Sequence, residues 1–209
     1  MTKSKLFLVF ALAFNAATIQ AQSTSVGIAV GPALSDLRNR SDLPFELDLY
    51  EPKFGIASEV NFTWRFFKNM GVRTGLGFEQ KGAKSTLDYT NENGEAISDT
   101  IVRTKLNYLQ IPLMLELRLG GDFAWLFQLG QSYGLLINQQ GEEVLMEGFT
   151  KTDWSALAGI GLEFPVGEKM KLQLQSRFSY GLNDLAKTSV WEINNFSTGL
   201  LVGVQYDLN

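Results

Sequence analysis

Nine charged residues hold the chemistry this chain could perform: Glu59, Arg73, Glu79, Lys81, Glu116, Arg118, Glu163, Lys171 and Arg177. Each falls on the polar side of a segment in which apolar and polar residues alternate. Alternation with period two is the signature of a strand, whose side chains point to its two faces in turn, so these charges share the polar faces of a sheet. Two carboxylates such as Glu116 and Glu163 are the raw material of acid and base catalysis on a glycoside. A general acid needs a raised pKa, however, and the interleaved cations keep carboxylates ionised. With both signs in near balance, the residues predict an internal salt-bridge network, because a charge survives burial only when it is paired and hydrogen-bonded. The functional reading of the same residues is a proton or ion path, or a small-ligand site. No catalytic, cofactor-binding or metal-binding residue is assigned, and no enzymatic activity is expected.

The strands that carry these charges are clearest in Leu106 to Ile137, two alternating arms joined at Gly120-Gly121-Asp122. In the first arm Leu109, Ile111, Leu113, Leu115, Leu117 and Leu119 oppose Tyr108, Gln110, Met114, Glu116 and Arg118. In the second, Phe123, Trp125, Phe127, Leu129, Tyr133, Leu135 and Ile137 oppose Ala124, Gln128, Gly130, Ser132, Gly134 and Asn138. Gln131 is the one polar lapse on the oily side. The alternation outlasts the ~9 to 11 residues a tilted strand needs to cross a bilayer, whereas globular strands run to ~5 to 6. The opposite face, rich in Gly, Ser, Gln, Glu and Arg, suits a narrow polar lumen. Pro112 cannot donate to a ladder, and predicts a bulge.

Six more segments alternate in the same way: Val26 to Leu34, Phe54 to Trp64, Val72 to Lys81, Trp154 to Phe164, Met170 to Tyr180 and Phe196 to Leu208. The total is eight strands. Their connections alternate long and short. The long ones are Ser35 to Lys53, the polar stretch up to Lys105, Gln139 to Lys151, and the segment before Phe196. The short ones fall at Lys68-Asn69, at Gly120-Gly121-Asp122 and at Pro165 to Glu168. Short turns at one end and long loops at the other are a property of outer-membrane barrels. Aromatic residues near strand ends, among them Trp64, Phe66, Phe67, Trp125, Trp154, Phe164 and Tyr206, fit interfacial girdles. The loops hold a polar patch, Thr86 to Thr100, an apolar run, Val144 to Phe149, and the stretch Asp42 to Pro52, which is apolar enough to pack over a barrel mouth.

Composition narrows the compartment. The chain has 209 residues, one domain's length, and a net charge of −4 without basic clusters, which leaves no footprint for nucleic acid. It contains no Cys and no His, so zinc, haem and thiol chemistry lose their usual ligands and nucleophiles. Lys3 and Lys5, the apolar run Leu6 to Ala13 and the small residues up to Ala21 form a secretory signal peptide cut between Ala21 and Gln22, which leaves residues 22–209 as the barrel domain. No later stretch is apolar and long enough to span a membrane as a helix, so insertion must use strands.

The strand Asn107 to Leu117 (NYLQIPLMLEL) resembles that of the PorT-like outer-membrane β-barrel family of Bacteroidota, a porin family. The opening Val26 to Gly31, the signal peptide ending at Ala21-Gln22, and Gly159 to Glu163 resemble it too. The resemblance covers the mature chain and implies an outer-membrane barrel, with no catalytic residues to carry over; the namesake is tied to a secretion and gliding system. This chain ends Tyr206-Asp207-Leu208-Asn209, where such barrels often finish on an aromatic residue.

The reading is therefore an all-β, eight-stranded, antiparallel, up-and-down transmembrane barrel in the outer membrane of a Gram-negative bacterium. Outer-membrane lipid is its surrounding partner, one chain makes the barrel, and its role is structural or narrow and porin-like. Two other readings remain. One is an accessory barrel of a secretion system that meets protein partners through its extracellular loops. The other is a soluble, lipocalin-like ligand-binding barrel, which requires the bulky apolar faces to point inward.

Overall fold

The computed structural model describes residues 23–39, 51–90, 96–141, 150–185 and 193–208 of the chain. The predicted signal peptide, the run Val144 to Phe149 and all but the end of the stretch Asp42 to Pro52 lie outside these residues. Eight strands follow one another: β1 (Ser23–Asn39), β2 (Glu51–Arg65), β3 (Met70–Thr90), β4 (Ala96–Gly120), β5 (Ala124–Gln140), β6 (Thr152–Pro165), β7 (Met170–Gly181) and β8 (Ile193–Asp207). Each pairs antiparallel with its neighbours in sequence, and β1 pairs with β8 from Ser25 opposite Asp207 to Asn39 opposite Ile193. The sheet is a closed up-and-down barrel, and closure leaves no strand edge for the lipid to meet.

The oily faces point out. Phe54, Leu129, Ile28 and Val60 are each more than 60% exposed, and all six outward leucines and isoleucines of β4 are exposed. The polar faces point in, where Arg73, Lys81 and Glu163 have no exposed surface. A soluble ligand-binding barrel requires the reverse arrangement, so that reading is overturned. The turn between β4 and β5 is the tight one expected, with Gly120 at φ +132°. This backbone region favours glycine because a Cβ clashes there. The guanidinium of Arg118 folds over the turn and donates to the carbonyls of Gly120 (3.4 Å) and Gly121 (2.6 Å).

Two expectations are corrected. The polar stretch Thr86 to Thr100 is not a long loop. β3 and β4 pair through it, Asp88 opposite Asp99, up to Thr90 opposite Ala96, so the barrel carries a two-stranded ribbon beyond its rim. The abundance of Asp, Asn, Glu and Thr in this stretch of the sequence reads as a loop and hides the pairing. Pro112 also does not bulge. The ladder between β3 and β4 lapses opposite Ile111 and Pro112, then resumes in the same register, and the Thr74 hydroxyl donates to the Pro112 carbonyl at 2.8 Å. The lapse absorbs the missing N–H without an extra residue. The register of β4 against β5 shifts elsewhere, between Asn107 and Tyr108.

Candidate functional site

All nine charged residues predicted for the lumen point into it, and the structure joins them into two ion-paired groups, one through Glu59, Glu116, Glu163 and Asp207 and one around Lys81. At the short-turn end Arg65, from the last position of β2, reaches Glu116 (3.1 Å), Glu163 (3.7 Å) and Asp207 (4.0 Å). Glu163 also receives Arg118 at 2.7 Å and the Gln173 amide at 2.8 Å, while Lys171 lies 2.6 Å from Asp207. The middle layer centres on Glu59. Arg73 donates to its Oε1 through Nε (3.2 Å) and Nη2 (3.1 Å), and Arg177 reaches its Oε2 at 2.5 Å. Higher up, Lys81 meets Asp153 at 2.8 Å and Glu79 at 3.8 Å. Asp153 is further held by Ser155 and Asn195, each at 3.0 Å.

The pairing explains why so much charge can be buried. Arg65, Arg73, Lys81, Arg118, Lys171 and Arg177 balance Glu59, Glu79, Glu116, Asp153, Glu163 and Asp207, and glutamines take up some of the remaining donor and acceptor positions. Gln128 donates to Glu116 at 3.0 Å, and Arg73 donates to Gln173 at 2.9 Å. In a low-dielectric interior such a network holds only when its members are mutually satisfied. Glycine makes room for it at Gly27, where a Cβ would collide with Gln205 Oε1. The Gln205 amide instead donates to Ser25 (3.0 Å) and Thr63 (3.3 Å).

Arg65, Asp153 and Asp207 were missing from the predicted set. Asp153 and Asp207 stand on inward positions of their strands, and Arg65 extends the inward series Ala57, Glu59, Asn61 and Thr63 by one step. Parity already put Asp153 and Asp207 on polar faces, and carried to the true end of β2 it would have found Arg65. The Glu116 and Glu163 pair offers no acid and base: both are buried and share the Arg65 guanidinium. The lumen contains a cavity of about 30 Å³ beside Glu59, Glu79, Gln110 and Arg177, room for water and not for a sugar.

Above the network apolar side chains gather toward the outer end. Leu37, Ala83, Leu106, Tyr108 and Leu185 pack together, all buried, with Leu136 and Ile193 against them. Leu185 follows β7 and is pinned by two backbone bonds of 2.8 Å, to Thr150 and Ile193. A hydrophobic lid therefore sits over the charged column.

The model of the outer membrane protein beta-barrel domain matches residues 20–187. The chain belongs to this outer-membrane β-barrel family. Among solved structures, OprG from Pseudomonas aeruginosa is 13% identical, with a TM-score of 0.51 over 90% of this chain and 98% of that one. Ail of Yersinia pestis, solved with the heparin analogue sucrose octasulfate, is 14% identical with a TM-score of 0.45 over 88% of this chain and all of its own. The outer membrane protease OmpT of Escherichia coli is 11% identical with a TM-score of 0.47, over 90% and 97%. At these identities the likeness to OprG shows the fold alone. No curated protein matches the chain in sequence.

For an outer-membrane barrel the orientation follows from the turns, with the short ones on the periplasmic side. Aromatic rings gather there. Trp64, Phe66 and Phe67 make successive edge contacts at 5.8 and 5.2 Å, and Phe123 meets Phe164 at 4.8 Å, as an interfacial girdle requires. The one polar residue on the oily face of β5 is also accounted for. Gln131 accepts a hydrogen bond from the indole of Trp154 at 3.3 Å.

Proposed function

We propose that this protein is a non-enzymatic, monomeric outer-membrane barrel with a shut lumen, whose role within the structural or porin-like range of its family is structural. The observation that carries this reading is the charged column under its lid. Six cations and six carboxylates neutralise one another across the interior, and Leu37, Leu106, Tyr108 and Leu185 place an apolar layer on the outer side of the column. A narrow porin needs a continuous wet path. Export by the signal peptide cut after Ala21 completes the reading, and the strand Asn107 to Leu117 supports the PorT-like subgroup of Bacteroidota. The test is flux. Proteoliposomes holding the folded barrel should release potassium and glycerol no faster than empty liposomes, and release above that background would refute the shut lumen.

The β3 and β4 ribbon favours a second reading, an accessory barrel of a secretion or gliding system. The ribbon rises beyond the last rim pairs, Glu51 with Lys84 and Lys105 with Gln140, and so presents backbone to an extracellular protein partner. Removal of residues 86–100 should then abolish co-purification of that partner while the barrel still folds.

A further inference from the structure

The two ion-paired groups of the lumen face each other across a gap. On one side Arg177 bonds Glu59 through Nη1. On the other Glu79 stands 3.8 Å from Lys81. No ion pair joins Arg177 to Glu79 among the described residues, and the cavity of about 30 Å³ lies between them, with Gln110, Ser179, Ser197 and Gly199 in its wall. Three buried donor atoms of that wall have no hydrogen-bond partner among the described residues. One is Nε2 of Gln110, a residue only 8% exposed. The others are Nε and Nη2 of Arg177, an edge of the guanidinium that can grip oxygen with two parallel bonds. A buried donor left unbonded is costly, so this wall is incomplete without an acceptor.

Size and charge choose the ligand. A polar space of this volume holds about two water molecules. The charge of Arg177 is already answered by Glu59 and that of Glu79 by Lys81, so an added ion would itself be buried without a counter-charge. Water serves both sides, because it accepts from Gln110 and Arg177 and donates to Glu79. Ser197 occupies Glu79 Oε1 at 2.6 Å, while Oε2 lies beyond hydrogen-bond length of Lys81 and keeps room for a donor. We infer that the cavity is a binding site for about two ordered waters, which bridge Arg177 to Glu79 and join the two ion-paired groups into one column. The backbone alone does not reserve this space. A Cβ at Gly199 would meet the Pro32 carbonyl oxygen at 3.6 Å and Ala33 Cβ at 3.8 Å, ordinary contacts, so what an alanine there would displace is the water.

The experiment is a crystal structure of the barrel, refolded and crystallised in sodium bromide, at a resolution that shows ordered water. Density within hydrogen-bond distance of Gln110 Nε2 and Arg177 Nη2, without an anomalous bromide signal, is the expected result. An empty cavity, or a bromide peak in it, would overturn the water site. Urea unfolding in lipid vesicles gives a second, independent reading through its sign. Q110M removes the amide at nearly constant volume. With water bound, the folded-to-unfolded ratio should fall about fivefold; in a dry cavity it should rise, because an unbonded buried amide is removed. Should Q110M fail to fold, G199A carries the same test, lowering the ratio where its methyl displaces water and raising it where the methyl fills a void. A raised or unchanged ratio would overturn the site.

Discussion

Lys81 and Asp153 meet at 2.8 Å between two side chains with no exposed surface, and so tie β3 to β6 across the upper lumen. Their separation in sequence is 72 residues, and no local preference brings them together. D153A should leave a buried ammonium with only the Ser179 hydroxyl and the more distant Glu79, and cost about 3 to 5 kcal/mol of stability. The double variant K81M/D153L should recover part of that loss, since it removes both desolvation costs but leaves Glu79 without its cation. Urea unfolding of the barrel in lipid vesicles, run as a double-mutant cycle, measures both.

The lipid face makes an independent prediction. Leu129 is 69% exposed near the middle of β5, and L129R should destabilise the barrel in vesicles by about 2 to 4 kcal/mol. In a barrel whose outer surface met water the same change would be close to neutral. The same unfolding assay distinguishes the two.

Gln131 sits on that face because Trp154 needs an acceptor. Q131L should cost about 1 kcal/mol, as the indole N–H loses its partner. Q131L combined with W154F should cost less than the sum of the two single changes. A strictly additive result would show that the hydrogen bond contributes nothing.

Gly27 tests how tightly the lumen wall is packed. A methyl group there meets Gln205 Oε1 and the Val204 carbonyl, so G27A should cost about 1 to 3 kcal/mol. G27A/Q205A should restore part of this by removing the flexible obstacle. The yield of heat-modifiable barrel after refolding gives the first readout and urea unfolding the second.

The sequence reveals the barrel because lipid and lumen impose opposite demands on alternate residues, and this imprint covers every strand wherever it lies inside the membrane. It fades at the ends. Phe54 to Trp64 is where the oily alternation of β2 stops, while the ladder continues to Glu51 on one side and Arg65 on the other. Lys53 and Arg65, both buried, were lost with those end residues. The ribbon above the rim was hidden because Asp, Asn, Glu and Thr dominate the stretch that pairs Asp88 with Asp99. The partners within the lumen were legible only as a set. That Arg177 would meet Glu59, 118 residues away, depends on barrel diameter and stagger, which no single strand records. The lid was missed because Leu37 and Leu185 were assigned to loops.

Single-channel recording of the refolded barrel in a planar bilayer tests the shut lumen most directly. The structure predicts no discrete conductance steps from the wild type. A leak should be detectable only when lid and column are opened together, as in L185A/R73A. Steady, ohmic steps from the unaltered protein would contradict the account, because ions would then pass a column and lid that the structure closes.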